Sequence, residues 1–184
     1  GIQGTGFTRM IDRRDKAAHE RAIRAEGFAD YAITPPGERA QYSSIVYIEP
    51  FTGRNLKAFG YDMFAEPVRG LAMARARDSG EPALTGRVTL VQEDEQNAQP
   101  GFLIYVPVYR KDQPTASVEQ RRAALLGFTY SPFRAHDLLS SLFSADNKDV
   151  ELELFDTVAT PDNLLFDSHP GDNRAHGQYH VEMP

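Results

Sequence analysis

The chain has 184 residues, of which 41% are hydrophobic and 25% charged, a globular composition that excludes disordered and fibrous polypeptides. Its 26 Asp and Glu outnumber 20 Lys and Arg for a net charge of -6, which argues against a nucleic-acid binder. With no cysteine it has no disulfide, thiolate metal site or thiol nucleophile. No apolar run reaches the roughly 18 residues of a membrane helix, and no signal-peptide pattern is present. The chain opens at Gly1 rather than Met, so the expectation is a piece of a longer protein, with any anchor outside it.

Residues 7–26 read as a helix: Phe7, Met10 and Ile11 begin an apolar stripe, Ala18, Ala22 and Ala25 extend it, and Gly27 is placed to cap it. Residues 28–33 alternate as a strand would, until Pro35, Pro36 and Gly37 interrupt. Residues 42–48 are a better strand, closed by Pro50. Turn chemistry fills 51–63. A helix then opens on Glu66 and Pro67, carries Val68, Leu71, Ala72 and Arg75 at helical spacing, and ends at Gly80.

Residues 82–91 read as a strand, 92–101 as an acidic loop, and 102–109 as the strongest strand of the chain. A loop at 111–118 and a strand-like run ending at Tyr130 follow. Ser131 and Pro132 then start a helix with the stripe Phe133, Leu138, Leu139, Leu142 and Phe143. Val150, Leu152 and Leu154 alternate with Glu151 and Glu153 as a half-buried strand, with 164–166 as its hairpin partner. This order predicts an α+β fold: an N-terminal helix, then a PAS-like five-stranded antiparallel sheet with a helix inserted after its second strand, then a partial second unit.

Few residues invite chemistry. His169, His176 and His180 lie in a polar tail with Asp167 and Asp172, without the i, i+4 spacing that puts two zinc ligands on one helix face. His19 and His136 read as helix-surface residues. Gly1, Gly4 and Gly6 mimic a dinucleotide loop but follow no strand. No nucleophile elbow or phosphate loop occurs, so no catalytic residue, metal or cofactor is expected. Asp62, between Tyr61 and Met63, has two readings. It caps the helix beginning near Phe64, or it is a pocket carboxylate that receives a ligand N–H.

Several spaced elements together resemble a CHASE domain, over about 20–156. They are Tyr42-x-x-Ile45-x-Tyr47-Ile48-Glu49-Pro50, Asn55, Ala58-x-Gly60-Tyr61-Asp62, Glu66-Pro67-x-Arg69, Ala74-Arg75-x-Arg77-Asp78-x-Gly80, Pro82-Ala83-Leu84-Thr85-Gly86, Leu90-x-Gln92, and a strand ending Pro107-Val108-Tyr109. The resemblance implies an extracytoplasmic sensor of a histidine kinase, diguanylate cyclase or phosphodiesterase, anchored on the periplasmic or extracellular face by membrane helices outside this piece. It implies a stalk helix at 1–26, a membrane-distal PAS-like subdomain at 27–130 and a proximal one at 131–184. It also implies a homodimer in the full receptor and a small-molecule ligand.

By similarity to the plant cytokinin receptors, Asp62 falls at the ligand-binding acid, Leu84 at a pocket-wall leucine, and Gln92 or Glu93 near a polar pocket residue. Tyr105 falls at a pocket-facing position; Phe102, Ile104 and Val106 alternate with it and should share the other face, while Phe102 is also expected to add apolar contact. Larger side chains at Glu93 and Tyr105 than in those receptors mean that the resemblance carries no cytokinin specificity. Two rivals remain: a dimerisation or interaction module whose pocket is a packed core, and a hydrolase using Asp62 and Glu93.

Overall fold

The chain enters the fold as a strand, not as the helix expected over 7–26. In the computed structural model, which describes residues 4–93, 98–142 and 152–168, β1 is Thr5–Asp12 and only α1, Lys16–Ala25, is helical in this stretch. The spacing of Phe7, Met10 and Ile11 fits a helix, but the β-branched Thr5, Thr8 and Ile11 suit a strand equally. Tertiary pairing decides between them, because β1 is bordered by β2 (Gln41–Glu49) on one side and by β6 (Leu125–Arg134) on the other. Gly27, at φ +107°, follows the end of α1 as expected.

With β1 in place, residues 28–33 form no strand. They run irregularly and bury Tyr31 and Ile33 against Ile11 and Tyr42 in a small satellite core. β2 matches the predicted strand, extended slightly at each end. Two 3-10 turns follow, at Gly53–Ala58 and Met63–Ala65. α2, Pro67–Ser79, is the predicted helix. Glu66 caps it by accepting the N–H groups of Val68 at 3.0 Å and Arg69 at 2.9 Å, and Gly80 ends it at φ +82°.

The strand predicted at 82–91 is two short pieces, β3 (Ala83–Leu84) and β4 (Val88–Thr89), both antiparallel to β5 (Pro100–Tyr109). Thr85 fastens the gap: its N–H donates to the Leu103 carbonyl at 2.8 Å, and its hydroxyl accepts the Leu103 N–H at 2.9 Å. α3, Val118–Ala124, opens on a capping box made by Ser117 and Gln120. β6 then continues through Ser131 and Pro132, where a helix start was expected, and α4 begins only at Ala135 and runs to Leu142. β1 reaches no further along β6 than Tyr130, so Pro132 sits where β6 has one bordering strand, a position that tolerates a missing N–H. The predicted hairpin is present as β7 (Glu153–Phe155) and β8 (Leu164–Asp167). Val150, Phe143 and the tail histidines lie outside the described residues.

The sheet has the order β2-β1-β6-β5-β3, with β4 also on β5, and is antiparallel throughout. Helices and an antiparallel sheet make the fold α+β. One face carries Thr8, Leu103, Tyr105, Phe128 and Tyr130, each at most 2% exposed. α2 closes this face with Ala72, Met73 and Ala76. The burial pattern of β5 alternates, so Phe102, Ile104 and Val106 stand on the opposite, more open face, as period two requires.

Candidate functional site

Asp62 lies along the outer edge of β2. Gly60 turns the chain there at φ +86°, where an added Cβ would meet the Ala32 carbonyl oxygen at 2.5 Å. Its N–H then donates to the Ile45 carbonyl at 2.9 Å, and the Ile45 N–H donates to Tyr61 at 3.0 Å. This edge pairing places Asp62 opposite Ser44 with none of its surface exposed.

The Asp62 carboxylate is well occupied. Oδ1 accepts the N–H groups of Ser43 at 2.7 Å and Phe64 at 3.1 Å, and Oδ2 accepts Arg39 Nε at 2.8 Å. The bond from Phe64 makes Asp62 the cap of the Met63–Ala65 turn, the local alternative that its sequence context allowed. Arg39 is itself held by the Pro35 carbonyl at 2.6 Å and lies over the Tyr42 ring, 5.0 Å from its centroid. Beside this group, the Tyr31 hydroxyl bridges His19 Nε2 at 2.9 Å and Ser44 Oγ at 2.8 Å. His19 is therefore half-buried and not the surface residue expected. Burial, with the neighbouring Arg9 charge, lowers its pKa below the ordinary histidine value.

The other expected residues separate. Tyr105 lies on the interior face, fully buried, and its hydroxyl donates to Met63 Sδ at 3.3 Å. Leu84 and Phe102 do not share its wall. Leu84 pairs with Ile104 on the open face and is 51% exposed, and Phe102 stacks on Phe133 at 5.2 Å. The physical reason is strand period: residues 102 and 105 are three apart and must face opposite ways. Gln92 is buried just beyond β4. Glu93 is an ion-pair partner, with Oε1 2.9 Å from Arg134 Nε and its side chain 2% exposed.

Two residues that sequence reasoning passed over stand beside Tyr105. Tyr130 is its direct cross-strand neighbour, in a row that runs Ile48, Gly6, Tyr130, Tyr105, Ala83 across the sheet. The Tyr130 ring lies over Gly6, where a Cβ would approach it to 2.6 Å. Arg69, from the first turn of α2, is 3% exposed. Its Nη2 donates to the Thr89 carbonyl at 2.7 Å, its Nη1 lies 3.5 Å from Glu66 Oε2, and its guanidinium sits 5.5 Å from the Tyr61 ring centroid. Among the described residues, Arg69 Nε and the Tyr130 hydroxyl are buried without a hydrogen-bond partner. Burial raises the pKa of both Tyr105 and Tyr130, so both phenols stay protonated. Alternation along β6 gave a signal for Tyr130. Arg69 stood in the sequence only as part of the Glu66-Pro67-x-Arg69 element, with nothing to mark it as buried, because an arginine is ordinarily solvated.

Among the described residues no three His, Asp or Glu side chains converge as a metal site. No described helix is long and apolar enough to cross a membrane. The family model of the CHASE domain matches residues 1–166. No curated protein matches the chain.

Proposed function

The chain belongs to the CHASE family, extracellular sensory domains of signalling receptors, and from that premise we propose that it senses a small molecule for a membrane-anchored receptor. The observation that carries this reading is the match itself, which spans the whole sheet and α2. The sheet order β2-β1-β6-β5-β3, with β3 and β4 together acting as one interrupted strand, favours a PAS-like unit. The ligand site is the interior layer between this sheet and the segment from the 3-10 turns through α2. Asp62 lies at one end of that layer. Arg39, its present partner, is 26% exposed, and a ligand donor group would take its place.

In this reading the receptor is a homodimer whose membrane helices and output domain (kinase, cyclase or phosphodiesterase) lie outside this chain, and the sensor faces the periplasm. The sheet, which takes in β1 and runs on to Arg134, corresponds to the distal unit expected over 27–130, and the part of the chain after it to the proximal unit expected over 131–184. Ligand shifts the receptor only by binding one of two states more tightly.

A thermal-shift screen of the chain with adenine derivatives, amino acids, polyamines and small carboxylates tests the proposal. A ligand at 100 times its Kd should stabilise the fold by about 2.7 kcal/mol. Asp62→Asn keeps an acceptor for the Ser43 and Phe64 N–H groups and is expected to abolish binding of a donor ligand. Unchanged affinity would remove Asp62 from the site.

A second reading has one observation in its favour. Phe28, Tyr47, Phe51 and Leu56 are 38–57% exposed, and a groove of about 230 Å³ runs between Phe28, Phe51 and Phe59. Such a patch suits an interaction surface. A silent screen together with a dimer broken by Tyr47→Asp would favour the interaction module over the sensor.

A further inference from the structure

We infer that the interior layer receives a ligand through an anionic acceptor group, a carboxylate, held by Arg69 and Tyr130. The inference rests on the sensing reading and names the chemistry of its ligand.

The argument is one of hydrogen-bond accounting. A buried polar group without a partner is costly, and native proteins leave few of them. Arg69 Nε and the Tyr130 hydroxyl are two such atoms, on side chains 3% and 2% exposed, and the Arg69 charge is near enough to act on the Tyr105 and Tyr130 phenols alike. The Tyr105 hydroxyl beside them has only the Met63 thioether, a weak acceptor. Guanidinium nitrogen can only donate, and both phenols hold their protons. What the cluster lacks is therefore an acceptor.

Charge points the same way. The Arg69 guanidinium is buried, and among the described residues its carboxylate neighbour is Glu66, at 3.5 Å and also accepting two N–H groups at the start of α2. Its positive charge is only partly neutralised, and a ligand carboxylate would complete it. The rings of Tyr105, Tyr130 and Phe128 give the ligand body an apolar, aromatic surround. These groups are closed under α2, so a ligand that reaches them parts α2 from the sheet. That movement is one by which binding can bias a receptor.

Titration calorimetry of the chain with benzoate, phenylacetate and succinate, set against benzylamine and phenethylamine, tests the polarity. At least one carboxylate is expected to bind more tightly than either amine, whose donor group has only Asp62 to meet, and Tyr130→Phe should weaken that carboxylate about tenfold. The same variant should melt no lower than the parent, since its lost hydroxyl had no partner. Carboxylate binding that Tyr130→Phe leaves unchanged overturns the inference. So does a melting point more than about 3 °C below the parent, which would mean that the hydroxyl is already bonded in the free protein. Amines binding in place of carboxylates overturns the acceptor chemistry and leaves the sensing reading standing. Silence from both sets overturns it too, and silence from the wider screen as well takes the sensing reading with it.

Discussion

Two of the buried polar clusters differ in how completely they are satisfied. At the β2 edge the Asp62 carboxylate takes three hydrogen bonds, and the Tyr31 hydroxyl bridges His19 and Ser44. Under α2, Arg69 Nε and the Tyr130 hydroxyl have no partner, and Tyr105 has only a thioether. A satisfied cluster fixes a shape, because each group removed strands the others. An unsatisfied one leaves donors that a ligand acceptor can take without displacing a partner from them.

The sharpest way to break this contrast is Asp62→Ala. It leaves the Arg39 guanidinium and the Ser43 and Phe64 N–H groups without their acceptor. A loss of about 3 kcal/mol is expected, the low end for a broken buried pair because Arg39 is a quarter exposed. A urea midpoint measurement checks it, and a loss below about 1 kcal/mol would show that the cluster holds little of the fold. Next in size, Gly6→Ala drives a Cβ into the Tyr130 ring and should cost about 1–3 kcal/mol. Near-ultraviolet circular dichroism would report the displaced tyrosine.

The open cluster predicts the opposite sign. Tyr130→Phe should change stability by less than about 0.5 kcal/mol or raise it, because it deletes an unpartnered group. On the far face, Leu84→Ala should stay within about 0.5 kcal/mol and leave carboxylate binding intact, which separates the two faces.

The smallest effect is one of pH. His19 has a lowered folded pKa, so its contribution is fully present above the unfolded value near 6.5 and is lost as pH falls toward the folded value. Stability should decline over that window, and His19→Gln should flatten the decline. An identical slope in the variant would assign the proton uptake elsewhere.

Legibility in the sequence followed the range of the interactions. α2 was readable because Glu66, Pro67 and Gly80 are local signals for its start and stop. β2 and β5 were readable from their apolar runs. β1 was not, because Phe7, Met10 and Ile11 fit either period and only pairing with β2 and β6 settles it. The helix start expected at Ser131 and Pro132 failed for the same reason, since pairing with β5 carries β6 through the proline. Of the site residues, Tyr105 could be assigned a face by counting along its strand. Arg69 could not, since nothing local shows that a guanidinium in a first helical turn is buried.

The sequence alone determined the α+β class, the family, the inserted helix and the alternation that separates Phe102 from Tyr105, all properties of local pattern and spacing. Tertiary structure alone decided which polar groups meet. Arg39 and Asp62 are 23 residues apart, and Tyr105 and Met63 are 42 apart. A hydrogen bond needs a few ångströms and a direction, which strand order and register supply and residue identity does not.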